Sequence, residues 1–270
     1  MGEQRFVRLF FISIMIKNSV YFISDAHFGI TLDGCENREE HFFKFLEEIS
    51  GSVSKLFIIG DLFDFWIEYS CAIRPDYFNV LHHLKILVDK GVDVHYLAGN
   101  HDFALGTFLT EQVGITVHPE HVDTTIQGKR VHLYHGDGLV KKDIGYRLLK
   151  AILRNKTNQH LYKMLHPSIG VRLGTFFSGS SRKYLRPRFL DWVKKEYRDH
   201  ANSYLEKGSD IVLFGHTHCG EIVNCRSGIY CNTGAWLVHY NYASMTDGEL
   251  KLWSYTPGAS PQEISPIDWK

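Results

Sequence analysis

The sequence predicts an α/β fold, and three observations carry that prediction. Short apolar runs alternate with amphipathic stretches through the first half of the chain. After a basic, helix-patterned segment, short apolar runs return in quick succession. Apolar runs end abruptly in five polar clusters rich in Asp, Asn, His and Gly. Parallel strands joined by crossover helices account for the first observation. Ligand sites beyond the carboxyl ends of strands account for the third.

The elements follow in order. Val20 to Ser24 reads as a buried strand, and Arg38 to Ile49 places Phe42, Phe45, Leu46 and Ile49 at helical spacing. Leu56 to Ile59 is a second strand. Tyr77 to Lys90 repeats the helical spacing at Val80, Leu81, Leu84, Leu87 and Val88, and Val92 to Ala98 is a third strand. Beyond Gly114 the rhythm shifts to short strands at Ile115–His118, His121–Ile126 and Val131–Tyr134. Strands return at Ile211–Phe214, Glu221–Cys225, Gly228–Asn232, Ala235–Tyr240, Ala243–Thr246 and Leu250–Tyr255. The tail, residues 257–270 with Pro257, Pro261 and Pro266, reads as irregular.

The 270 residues, 44% hydrophobic, support one large core or a core with a small appendage. Lys+Arg and Asp+Glu are both 30, so total charge selects no partner, and no nucleic acid is expected. The distribution is informative. Lys141 to Arg198 holds fifteen Lys/Arg against three Asp/Glu, which suits an anionic substrate or an anionic membrane surface. Residues 141–207 therefore read as a helical, basic and apolar lid between two parts of a core, 15–140 and 208–256. Five cysteines without a C-x-x-C pair indicate neither a disulfide framework nor a zinc knuckle, and point to a reducing cytoplasm. Phe6 to Ile16 is apolar but too short to span a bilayer, and residues 1–14 read as an extension outside the core.

The polar clusters carry the chemistry. They are Ser24-Asp25-Ala26-His27, Gly60-Asp61-Leu62-Phe63-Asp64, Gly99-Asn100-His101-Asp102, His135-Gly136-Asp137 and Gly215-His216-Thr217-His218. Together they supply two aspartates, an asparagine and four histidines able to ligate metal, with a histidine left over for protons. That inventory suits two adjacent divalent cations, which usually serve phosphate-ester chemistry. Mixed nitrogen and oxygen donors suit Mn, Fe or Zn better than Ca.

In this order the clusters resemble the calcineurin-like metallophosphoesterase superfamily, whose blocks are D-x-H, G-D-x-x-D, G-N-H-[DE], an H-containing turn and G-H-T-H. The resemblance implies a two-sheet β core flanked by helices. It implies one metal on Asp25, His27, Asp61 and His218, and another on Asp61, Asn100, His135 and His216, with Asp61 bridging. It gives His101 the leaving-group oxygen and gives Asp102 and Asp64 an orienting role. The string Gly60-Asp61-Leu62-Phe63-Asp64-Phe65-Trp66, the His135-Gly136-Asp137-Gly138-Leu139 block and Asn232-Thr233-Gly234-Ala235-Trp236 are similar to the UDP-2,3-diacylglucosamine pyrophosphohydrolases of lipid A biosynthesis. In that family a helical lid holds the acyl chains. The resemblance implies hydrolysis of the diphosphate to UMP and 2,3-diacylglucosamine 1-phosphate, with Mn as the expected ion. It also implies a cytoplasmic protein held peripherally on the inner membrane. Asp143, Ser178, Arg182 and Lys183 are the expected substrate contacts. The competing expectations are a phosphoesterase acting on a soluble nucleotide or phosphodiester, and a binding scaffold of the same fold.

Overall fold

A computed structural model describes residues 18–31, 35, 37–69, 71–185 and 191–269, without the side chains of residues 177–185. The expected extension 1–14 and the Phe6–Ile16 stretch lie outside these residues. Four parallel strands run side by side: β1 (Ser19–Ile23), β2 (Val53–Ile59), β3 (Asp93–Leu97) and β4 (Thr116–His118). Parallel neighbours need long crossovers, and α1 (Arg38–Ile49) and α2 (Phe78–Asp89) supply the first two. On the other side of β1, antiparallel β10 (Asn241–Thr246), β11 (Glu249–Ser254) and β12 (Gln262–Ile264) complete a seven-stranded sheet.

A second sheet of six strands lies against it. It contains β5 (Val122–Ile126), β6 (Lys129–Tyr134), β7 (Ile211–Phe214), β8 (Glu221–Cys225), β9 (Gly228–Asn232) and β13 (Ile267–Asp268), in the order β13-β8-β9-β7-β6-β5. Strand periodicity sorts side chains between layers. Phe22, Phe57, Ile59 and Leu97 meet Leu133, Ile211, Leu213 and Cys231 between the sheets. Their neighbours Ile23, Leu56, Ile58 and Tyr96 point outward and are covered by Phe42, Phe45 and Leu46 of α1 and Val80 and Leu84 of α2. On the far face, Val212, Phe214 and Tyr230 are covered by Val193, Tyr197, Ala201 and Leu205 of α6 (Asp191–Glu206). Strands buried on both faces explain why the sequence shows apolar runs rather than alternation.

Two expected elements differ. Ala235–Tyr240 is not a strand: Trp236–His239 forms a short helix, α7. Its first amides, Trp236 N–H and Leu237 N–H, bond the carbonyls of Ser24 and Asp25 instead of a neighbouring strand. Trp236 is buried there among Phe42, Phe45 and Tyr255. The tail is not irregular either. β12 extends the first sheet and β13 the second, so the chain crosses from one sheet edge to the other. Pro261 and Pro266 precede these edge strands, where a missing N–H costs no ladder bond.

Between β6 and α6 come α3 (Ile144–Arg154), α4 (Lys156–Lys163) and α5 (Pro167–Leu185). Side-chain caps start two of them: Asp143 accepts from Tyr146 N–H, and Asn155 from Thr157 and Asn158 N–H. Ile144, Leu148, Ile152, Leu161, Met164 and Phe176 on these helices remain exposed, whereas α6 buries its apolar face on the sheet. α5 approaches the core closely at Gly174, where a Cβ would lie 2.2 Å from the Phe65 ring. Among the described residues no helix is long and apolar enough to cross a membrane.

Candidate metal centre

The seven expected ligands stand on five loops that leave the carboxyl ends of parallel strands. Asp25 and His27 follow β1, Asp61 follows β2, and Asn100 follows β3. His135 follows β6, and His216 and His218 follow β7. The two sheets present these ends to one side, and hydrogen bonds tie the loops together. Asp25 N–H bonds Gly60 O at 3.1 Å, and Gly215 N–H bonds His135 O at 3.0 Å. The His135 ring crosses between the sheets to Ile59 O at 2.8 Å. Asp61 also needs room beside the third loop: a Cβ at Gly99 would lie 2.1 Å from Asp61 Oδ1.

Strain marks the same residues. Asp25, His27, Asp61, His216 and His218 all have φ between 48° and 67°, in the left-handed region. A non-glycine residue there costs of order 1 kcal/mol. Five such residues at one place indicate a geometry that the surrounding fold over-determines.

The side chains fall into groups. Asp25, His27 and His218 bring one donor atom each within 4.8 Å of one another, and so do Asp61, His135 and His216. In the first group, His218 Nε2 lies 3.2 Å from Asp25 Oδ1 and 3.3 Å from His27 Nε2. In the second, His135 Nε2 lies 3.4 Å from Asp61 Oδ2, 3.1 Å from Asn100 Oδ1 and 3.3 Å from His216 Nδ1. Asp61 Oδ2 is also 3.7 Å from His27 Nε2, so one carboxylate oxygen faces both groups.

Each carboxylate has one oxygen fixed and the other presented. Asp61 Oδ1 accepts His101 N–H at 2.9 Å, and Asp25 Oδ2 accepts His216 N–H at 2.9 Å. Asp25 Oδ1 is fully buried and, among the described residues, makes no hydrogen bond of good geometry, with His218 Nε2 3.2 Å away. Because Ile59 O can only accept, His135 Nδ1 carries a hydrogen and Nε2 is turned to Asp61 and Asn100. Buried acceptors facing one another require a cation, and nitrogen and carboxylate donors of this kind fit a divalent metal ion.

The electrostatics agree. Burial, with His101 alongside, pushes the His27 imidazole well below its usual value, and burial and His135 push His216 to about 4. Burial opposes ionisation of Asp25, but His218 outweighs it and brings the carboxyl to about 2. Asp61, buried too, is held well below its usual value by His135 and His101. Neutral imidazoles beside ionised carboxylates are the forms that bind metal. His135 is the exception: burial opposes its charge, yet Asp61 lifts it to about 10. A divalent ion at Nε2 must displace that proton, so binding tightens with rising pH. We expect about one proton released per chain and roughly tenfold tighter binding per pH unit between pH 6 and 8. Calorimetric titration with Mn²⁺ in buffers of different ionisation enthalpy measures both; pH-independent uptake would contradict this reading.

The remaining expected residues separate. His101 Nδ1 donates to Asp64 O at 2.8 Å, and its Nε2 faces Asp61 Oδ2 at 3.9 Å. With His27 and Asp64 it forms a third group of donors. Asp64 Oδ1 lies 3.8 Å from His27 Nδ1, too far for a direct hydrogen bond. Asp102 sits deeper, accepting from Gly99 N–H, Phe63 N–H and the Tyr96 hydroxyl, and so pins the Asn100 loop to the Asp61 loop. Burial, reinforced by Asp61, raises Asp102 to about 6. Asp143 is engaged in capping α3. The side chains of Ser178, Arg182 and Lys183 fall outside the described residues.

Sequence reading missed Arg38, Lys150 and Arg154. Arg38 is buried and donates to His27 O at 3.1 Å, holding that strained loop from beneath. Lys150 and Arg154 reach the loops around His135 and Asn100 from α3. The signal for the last two is a polar spacing, Tyr146, Lys150 and Arg154 at successive fourth positions on one helix.

The calcineurin-like phosphoesterase family profile matches residues 19–220. Several curated relatives bear the name UDP-2,3-diacylglucosamine hydrolase, and three of them illustrate the likeness. The one from Porphyromonas gingivalis is 30% identical over 224 residues, covering 75% of this chain and 84% of the relative. One from Neisseria meningitidis serogroup B is 30% identical, covering 85% and 94%. One from Haemophilus influenzae is 28% identical, covering 83% and 92%. The chain belongs to the calcineurin-like phosphoesterase family and is a metal-dependent hydrolase.

Proposed function

We propose that this hydrolase cleaves the diphosphate of UDP-2,3-diacylglucosamine, giving UMP and 2,3-diacylglucosamine 1-phosphate, with a pair of divalent ions, preferentially Mn²⁺. One ion would be held by Asp25, His27, Asp61 and His218 and the other by Asp61, Asn100, His135 and His216. The observation that carries the pair is Asp61 Oδ2, which faces His27 and His135 at 3.7 and 3.4 Å. When bound, the ions supply a water of lowered pKa and neutralise phosphate oxygens during in-line attack. The protein's own groups do the rest. Asp61 sets the spacing of the two halves, and Asp64 O holds the His101 ring. His101, fixed through Nδ1, keeps Nε2 on the Asp61 Oδ2 side of the centre and would give a hydrogen bond to the leaving phosphate oxygen.

The lipid half of the substrate rests on the relatives' shared name and on a cavity of about 370 Å³ between the Phe65–Tyr77 loop and α5. Phe65, Trp66, Ile67, Ile73 and Val171 line it, with Arg172 and the Arg74–Asp76 ion pair as its charged members. A half-open, largely apolar cavity with a few charged groups suits an acyl chain. Exposed Leu148, Ile152, Leu161 and Met164 on a strongly basic segment favour attachment to an anionic membrane surface. Filling the cavity tests the assignment. Val171→Trp should raise KM for the diacyl substrate about tenfold or more while leaving UDP-glucosamine cleavage unchanged; turnover of UDP-glucosamine equal to that of the diacyl substrate in the unmodified protein would refute the lipid reading.

A further inference from the structure

We infer that Tyr146, Lys150 and Arg154 of α3 are positioning residues for one half of the metal centre, the half built on Asn100 and His135. This rests on the two-ion reading above. The contacts converge on two loops. Asp137, two residues after His135, is buried, and its Oδ2 takes Lys150 Nζ at 2.7 Å, the Tyr146 hydroxyl at 3.2 Å and Arg154 Nη2 at 3.6 Å. Lys150 Nζ also donates to Asp137 O at 2.9 Å and to the Tyr134 hydroxyl at 2.7 Å, which itself donates to Asp137 O at 2.7 Å. Arg154 Nη2 donates to Gly99 O at 3.2 Å, the carbonyl immediately before Asn100, while Nη1 holds Pro119 O at 3.1 Å. One helical face thus clamps the His135 loop and the Asn100 loop together.

The clamp is one-sided. These contacts reach none of Asp25, His27 and His218, and the loop that carries Asp25 and His27 is held instead by Arg38 through His27 O and Ile30 O. Lys150 and Arg154 also balance the buried carboxylate of Asp137, so removing either loosens a loop under a charge left short of partners. Groups that orient ligands from behind typically contribute 10–100-fold to metal affinity. The helix that carries them belongs to the segment over the cavity, so seating of that segment and assembly of this half become one event.

The test titrates Mn²⁺ alone into the full chain, followed by calorimetry and electron paramagnetic resonance. Unmodified protein should take up two ions. Lys150→Met and Arg154→Met should keep one ion at unmodified affinity and hold the second about 10–100-fold more weakly. Their kcat should fall with little change in KM at limiting metal, and recover at high Mn²⁺. Arg154→Lys, retaining the charge, should restore part of the second affinity. Should Lys150→Met fail to fold, Asp137→Asn combined with Lys150→Met removes both charges, and the second ion should still be the weakened one. Two ions retained at full affinity in the variants, or both loosened equally alongside a lower melting temperature, would overturn the inference. A single ion in the unmodified protein would overturn the two-ion reading and this inference with it.

Discussion

Asp61→Ala should leave the chain folded and without measurable hydrolysis. The carboxylate is buried, faces both ligand groups through Oδ2, and accepts His101 N–H through Oδ1. Removing it subtracts a donor from each half and releases the Asn100 loop at once. Loss of a group that merely orients a ligand costs 10–100-fold, so loss of the shared ligand should exceed about 100-fold in kcat/KM. Bound metal, measured by elemental analysis after gel filtration, should drop with activity. The fold should tolerate the change, because the groups that face the carboxylate belong to the same site, and Ala at φ 52° adds strain of only about 1 kcal/mol. A variant with near-normal turnover and metal content would sink the shared-carboxylate account.

His101→Ala should behave differently. Its Nδ1 is committed to Asp64 O, and its Nε2 stands on the Asp61 side of the centre without belonging to either metal half as assigned. Its removal should lower kcat about 10²–10⁴-fold, the usual contribution of a positioned proton or hydrogen-bond donor, with both ions still bound. The alternative is specific, because His101, His27 and Asp64 also form a donor group of ligand spacing. Loss of one ion in His101→Ala would make it a ligand. His101→Gln, which can still donate a hydrogen bond, should recover part of the rate.

The metal motifs were legible because each sits at the end of an apolar run, where a parallel strand must stop and its loop must turn toward the ligand side. The layers were legible in part. Buried strands announced themselves, but nothing in Ala235-Trp236-Leu237-Val238 distinguishes a strand from α7; that choice is made by the carbonyls of Ser24 and Asp25, distant in sequence. The tail illustrates the same point, since β12 and β13 exist only because two sheet edges lie ready for them. The insertion shows the limit most clearly. It reads as a basic and apolar lid, but the sequence does not say which helix face turns inward: α3 turns Tyr146, Lys150 and Arg154 to the core and leaves Ile144 and Leu148 exposed. Amphipathicity gives a helix two faces but does not say which one meets the protein.

The most direct test of the central claim is hydrolysis of UDP-2,3-diacylglucosamine with Mn²⁺ in ¹⁸O-labelled water, with mass analysis of both products. Attack at the α phosphorus by a water within the centre predicts metal-dependent turnover, with one ¹⁸O in UMP and none in 2,3-diacylglucosamine 1-phosphate. Label in the lipid phosphate, turnover unaffected by metal removal, or cleavage of soluble nucleotides with none of the lipid would contradict it.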